Sequence, residues 1–141
     1  MVISVGDRLP GATLLTLGAN GPEAVDLGER LDGRKVVIFG LPGAFTGTCT
    51  TAHVPSFIRT KAEFDAKGVD EVICLTVNDP FVVKAWTDAT GAEKAGIVTL
   101  ADAESAFTSA IGMEFSAAAV GFVNRSKRYS LYAEDGVVKV L

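Results

Sequence analysis

Apolar and polar positions change period several times along this chain. Ala12-Thr13-Leu14-Leu15-Thr16-Leu17 partly alternates, as a half-buried strand does. Gly18 to Gly21 reads as a turn, and Ala24-Val25-Asp26-Leu27 as a short returning strand. Val36-Val37-Ile38-Phe39 is apolar without alternation and mostly β-branched, which predicts a strand buried on both faces. Gly40 opens a loop after it. Val54, Phe57, Ile58 and Ala62 then recur at helical spacing, with Gly68 as a stop and Pro55 predicting a kink. Val72 to Val77 is a second nearly continuous apolar run and predicts another central strand.

Asn78-Asp79-Pro80 turns the chain, and Phe81 to Ala89 reads as a helix with Val82, Val83 and Trp86 on or near one face. Ile97 to Leu100 predicts a short strand and Glu104 to Ile111 a short helix. Arg128 to Ala133, the turn Glu134-Asp135-Gly136, and Val137 to Leu141 predict a hairpin. Neither an internal repeat nor a linker is visible. Strands interleaved with helices imply an α/β fold, a central sheet with helices on its faces, as one domain over residues 1–141.

Composition narrows the functional classes. Hydrophobic residues make up 48% and charged residues 21% of 141, a globular profile. The formal net charge of −4, without a Lys/Arg block, argues against nucleic acid and anionic membranes as partners. No apolar run is long enough to span a bilayer, and the first residues lack the order of a secretory signal. Two cysteines are too few for a secreted disulfide scaffold. The expectation is therefore a reducing, cytoplasmic setting.

The candidate chemistry sits in Pro42-Gly43-Ala44-Phe45-Thr46-Gly47-Thr48-Cys49, between the strand ending at Phe39 and the helix-compatible segment from Thr50. A thiol at such a junction would face helix N–H groups and the positive end of the helix dipole, which favour thiolate. A free thiol has a pKa of roughly 8.5, so most of it is unreactive at neutral pH until such groups favour the anion. The position thus points to nucleophilic chemistry rather than to a small buried hydrophobe.

These residues carry a resemblance. Pro42, Thr46 and Cys49 match the Pro-x-x-x-Thr-x-x-Cys pattern of peroxiredoxins. The longer strings PGAFTGTCTTAHVPSF, CLTVNDPFVVKAW (Cys74 to Trp86) and RSKRYS (Arg125 to Ser130) are similar to the atypical peroxiredoxin 5 and plant type II subgroup, over most of the chain from about Gly6 onward. The resemblance implies a thioredoxin-like fold with a mixed sheet, and reduction of hydrogen peroxide or alkyl hydroperoxides, without metal, flavin or haem. Cys49 would be the peroxidatic cysteine, Thr46 and Arg128 would complete the site, and Pro42 would shield it. The residue types suit those roles: a guanidinium offers fixed cationic donors to the leaving oxygen, and a hydroxyl both donates and accepts. Only the resemblance singles out Arg128 over Arg125.

The remaining residues admit more than one reading. Cys74 lies in an apolar run, which favours a buried, inert thiol. A second cysteine at a similar place in plant type II relatives makes a resolving role the alternative, and such a bridge needs Cα atoms within about 7 Å. An external reductant, glutathione with glutaredoxin or thioredoxin, is the expected route. His53, four residues after Cys49 and the only histidine, raises a Cys–His hydrolase, although no matched acid or amide is evident. Two cysteines and one histidine at this spacing make a poor zinc pattern. His53 is otherwise a packing or hydrogen-bonding residue beside the site. A third reading is a non-enzymatic binding module with an unreactive Cys49.

Two features depart from the family's pattern. Gly47 stands where close relatives usually have proline; glycine restores an N–H and loosens the loop, so a less pre-organised site is expected. The sequence also stops at Leu141, where relatives continue to a final helix that covers one sheet face, so open apolar surface is expected. Members of this subgroup pair through loops near the active site, which here include Phe45 and Asp79-Pro80-Phe81 with Trp86 behind. A homodimer is the corresponding expectation.

Overall fold

The computed structural model describes residues 2–46 and 54–141. In chain order they form strands β1 (Thr13–Gly18) and β2 (Gly21–Asp26), helix α1 (Leu27–Leu31), strand β3 (Lys35–Leu41), helix α2 (Val54–Ala66), strand β4 (Glu71–Thr76), helix α3 (Pro80–Thr90), strand β5 (Ile97–Ala101) and helix α4 (Ala106–Ala110). Strand β6 (Glu114–Ala117), a 3-10 turn (Ala118–Val120), and strands β7 (Phe122–Ser126), β8 (Tyr129–Glu134) and β9 (Val137–Val140) follow. The main sheet has seven strands in the order β2-β1-β5-β4-β3-β8-β9, while β6 and β7 form a separate hairpin. β3 runs parallel to β4, β4 parallel to β5, and β8 antiparallel to β3. The sheet is mixed, as expected.

The uninterrupted apolar runs do lie at the centre. Six of the seven β3 residues and all six of β4 are buried. Their side chains divide by parity, because successive residues of a strand face opposite ways. Val36, Ile38, Ile73 and Leu75 pack on one side with Leu27, Leu31, Phe107, Ile111 and Leu131. Val37, Phe39, Val72 and Cys74 pack on the other with Val54 and Trp86. Phe57 of α2 stacks on Phe39, centroids 4.0 Å apart and planes within 8°. Pro55 is the second residue of α2 as described, and the turn before it, where the expected kink would lie, is outside the described residues. An apolar groove of about 230 Å³ opens beside α2, lined by Val37, Phe57, Phe64, Tyr132 and Val140.

Local chemistry fixes the ends of these elements. Asp79 caps α3 by accepting from the Val82 N–H at 2.9 Å, Pro80 fills the first helical position, and Gly91 ends the helix with a left-handed φ of 76°. Asp102, buried after β5, accepts from Thr108 N–H at 2.8 Å and Thr108 Oγ1 at 2.7 Å, which ties α4 to the sheet. Glu71, buried at the start of β4, bridges Arg30 and Arg34 and so anchors α1 and its trailing loop.

Tyr129 begins β8 and pairs with Gly40 of β3. Its ring occupies the space where a Gly40 side chain would stand, so alanine there would collide with it. Its hydroxyl is buried with no hydrogen-bond partner among the described residues. Burial, and then the carboxylate of Asp102 and the Cys74 thiol, push the phenol far above the ordinary tyrosine value. The sign of the pH effect follows. Below about pH 10 the phenol is neutral both folded and unfolded; above it only the unfolded chain ionises, and stability falls by about 1.4 kcal/mol per pH unit from this group. Tyr129→Phe removes that slope and also removes a buried, unpartnered hydroxyl. Urea unfolding at pH 7 should show a variant at least as stable as the parent, and at pH 11 a smaller loss. A less stable variant at pH 7 would contradict this account of the hydroxyl.

Candidate active site

The topology gathers one edge of the sheet. β3 and β4 are parallel, so the segments leaving them, from Pro42 and from Val77, emerge side by side. β8 runs the opposite way and enters at that edge: Tyr129 pairs with Gly40, and Arg128 is the residue before it. The carboxyl ends of parallel strands are where open α/β sheets bind their ligands, because loops rather than the next turn of strand project there.

The loop after β3 is held at three points. The Thr46 hydroxyl donates to the Gly43 carbonyl at 2.7 Å. The Ala44 N–H donates to Asn78 Oδ1 at 2.9 Å, and the same oxygen accepts from Thr76 Oγ1 at 2.6 Å. Arg125 Nη1 donates to the Pro42 carbonyl at 3.3 Å. Phe45, between Ala44 and Thr46, has a φ of 62°. That left-handed conformation costs a bulky residue roughly 1–2 kcal/mol, and the bonds on either side offset it. With its hydrogen committed to Gly43, the Thr46 oxygen presents lone pairs, so it can accept from a thiol or a hydroperoxide.

Among the sequence-predicted residues, the structure brings Pro42 and Thr46 into this loop and Arg128 to its edge. Arg128 is exposed, in the two-residue connection between β7 and β8. Cys49, Gly47 and His53 lie outside the described residues. Cys74 is buried in mid-strand, on the same side of the sheet as Phe39, Val54 and Trp86. Phe45 and Phe81 are 55% and 60% exposed, whereas Trp86 is fully buried and belongs to the core. Among the described residues no cluster of three or more His, Cys, Asp or Glu side chains could hold a metal.

Two contributors escaped sequence reasoning. Asn78 reads as turn chemistry, yet its side chain joins the end of β4 to the Pro42 loop. Arg125 reads as the lesser of two arginines, yet it touches that loop from β7. The only local signal was the presence of Asn78 in the turn after a central strand and of Arg125 within the RSKRYS string.

The Redoxin family profile matches residues 4–141. The chain is 46% identical over 143 residues to the chloroplastic peroxiredoxin-2E-2 of Oryza sativa subsp. japonica, covering 99% of this chain and 64% of that protein. It thus spans a little under two thirds of that relative's length. The structure of reduced Prx3 from Vibrio vulnificus in complex with hydrogen peroxide superposes with a TM-score of 0.91 at 42% identity, covering 99% of this chain and 89% of the other. Peroxiredoxin 5 from Alvinella pompejana superposes with a TM-score of 0.86 at 30% identity, covering 97% and 86%. The chain therefore belongs to the Redoxin family, as a peroxiredoxin of the plant type II and peroxiredoxin 5 kind.

Proposed function

We propose that this chain is a thiol peroxidase, a single redoxin domain that reduces hydrogen peroxide and alkyl hydroperoxides through Cys49. One observation carries the reading: the sheet edge that holds the Pro42–Thr46 loop also receives Arg128, and Cys49 follows Thr46 by three residues. The peroxide bound by the Vibrio relative supports the substrate class.

The thiolate attacks one peroxide oxygen. An S–O bond forms as the O–O bond breaks, and the leaving oxygen departs with the electron pair and takes a proton. Arg128 stabilises the charge on that oxygen, and Thr46 orients the substrate. Pro42 shields the thiol from bulk water. Cys49 becomes a sulfenic acid, with water or an alcohol released. One reducing thiol condenses with it, releasing water and leaving a mixed disulfide. A second thiol displaces Cys49 and completes the cycle.

The resetting thiol is external, from glutathione with glutaredoxin or from thioredoxin. The burial of Cys74 in mid-sheet, in one cluster with Phe39, Val54 and Trp86, supports that route over an internal disulfide. The matching compartment is the cytoplasm, whose thiol pool can supply that reductant. No helix among the described residues is long and apolar enough to cross a membrane. The exposure of Phe45 and Phe81 supports pairing of two copies beside the site.

The test is consumption of hydrogen peroxide by the purified protein, with dithiothreitol, glutathione plus glutaredoxin, or a thioredoxin system as reductant. The expected result is turnover that requires a thiol, together with inertness toward an activated ester. Ester cleavage without reductant would favour the hydrolase reading, and neither activity would favour a binding module.

A further inference from the structure

Arg125 lies on β7, half-buried, outside the Pro42–Cys49 motif and three residues before Arg128. Its guanidinium carbon stands 5.7 Å from the centroid of the Phe122 ring, a cation–π distance, which leaves the fork pointing from the hairpin toward the β3 loop. There Nη1 donates to the Pro42 carbonyl. It also fills the slot beside Gly43: a Cβ added to that glycine would come within 2.5 Å of Nη1, 3.4 Å of Thr46 Cγ2 and 3.6 Å of Asn78 Oδ1. Gly43 is absent from the positive-φ residues, so a side chain there would meet the guanidinium rather than a backbone restraint, and the guanidinium would have to shift. Asn78 Oδ1 borders the same slot and accepts from the N–H of Ala44, the next residue. The segment from Pro42 to Ala44 is thus held by two side chains, one from β7 and one from the turn after β4, and Thr46 is bonded to that same segment.

We propose that Arg125 is a positioning residue of the peroxidase site: through the Pro42 carbonyl and the Gly43 slot it sets the loop on which Thr46 stands. The inference rests on the peroxidase reading above, and on nothing about Arg128. Among the described residues Arg125 meets the Pro42 carbonyl and the Phe122 ring, and it acts through the loop. A guanidinium suits the task because its planar fork can stack on Phe122 and donate to a carbonyl together, which an ammonium cannot do in one geometry.

The test is a double-mutant cycle between Arg125 and Gly43, read as the second-order rate constant for hydrogen peroxide in single-turnover experiments. Arg125→Gln should lower that constant about tenfold, and Arg125→Lys should recover only part of it. Gly43→Ala should lower it about fivefold in the parent, because its methyl displaces the guanidinium, and less than twofold in the Arg125→Gln background. The pH profile of Cys49 alkylation, which needs no peroxide, should shift toward higher pH in Arg125→Gln. Melting temperatures establish that each variant is folded. Independent, multiplicative effects of the two substitutions, or parental rates in Arg125→Gln, would overturn the inference. A parent protein that consumes no peroxide would instead overturn the peroxidase reading, and the alkylation profile would still report on the loop contact.

Discussion

Replacing Cys49 by serine is expected to lower peroxide consumption about a thousandfold or more, because the hydroxyl offers no anion at neutral pH and the reaction has no other nucleophile to use. Cys74→Ser should retain most of the activity, since that thiol is buried in mid-sheet beside Phe39 and in one cluster with Trp86. The contrast matters more than either value. A hydroxyl of nearly the same size preserves packing, so loss in Cys49→Ser with a parental melting temperature isolates chemistry from folding. Comparable loss in Cys74→Ser at unchanged stability would place Cys74 in the cycle and would require α2 to move, because the residues over Cys74 include Val54. Stopped-flow peroxide consumption with a saturating reductant reads both.

The second large effect is at Arg128. Arg128→Met should lower the rate constant with peroxide about 100-fold, the scale of losing one donor to a developing oxyanion. Arg128→Lys should lose about tenfold, since it keeps a positive charge and gives up the planar fork. The loss should fall on the peroxide half-reaction and leave reduction of the sulfenic acid by the external thiol nearly unchanged, because the leaving oxygen has gone by then. The physical basis is register. Tyr129 pairs with Gly40 at the end of β3, and its ring fills the volume above that glycine, so the backbone one residue earlier has little freedom. Equal losses in both half-reactions would mean that Arg128 shapes the fold of the edge and does not serve the leaving group.

The central strands were legible because burial on both faces leaves an uninterrupted apolar run, and Val36 to Phe39 and Val72 to Val77 have no other simple reading. α3 announced itself through Asp79 and Pro80, a cap and a pre-set first turn. α1 was not legible. Five residues are too few to display a helical period, and the helix persists because Leu27 and Leu31 are buried and Asp26 accepts from the Glu29 N–H. Leu27 therefore belongs to α1, and the strand expected over Ala24 to Leu27 runs from Gly21 to Asp26. The β6–β7 hairpin was missed as well. Its strands are mostly half-exposed or exposed, their register shifts between Phe115 and Ala117, and the turn between them is alanine-rich. The alternation of Glu114 to Ala117 is only four residues long, and the connection from Ala118 to Gly121 is a 3-10 turn and not the tight turn that marked β8 and β9.

The site divided along the same line. Pro42, Thr46 and Cys49 fall within eight residues and can be read as a motif, whereas Asn78 and Arg125 reach the loop from 34 and 83 residues away in sequence. No local pattern encodes a contact of that separation; it exists only once β3 and β4 have paired and the β6–β7 hairpin lies against the loop. The left-handed Phe45 was equally invisible, since an aromatic residue is a poor candidate for that conformation and is held there by bonds to its neighbours.

The central claim is that Cys49 is the atom oxidised first. Peptide mapping after one equivalent of hydrogen peroxide, with a dicarbonyl reagent present to trap sulfenic acid and no thiol added, tests it most directly. The expected result is the trapped adduct on Cys49 with Cys74 still reduced. An unmodified Cys49, with the oxygen found on Cys74 or on methionine, would contradict the assignment.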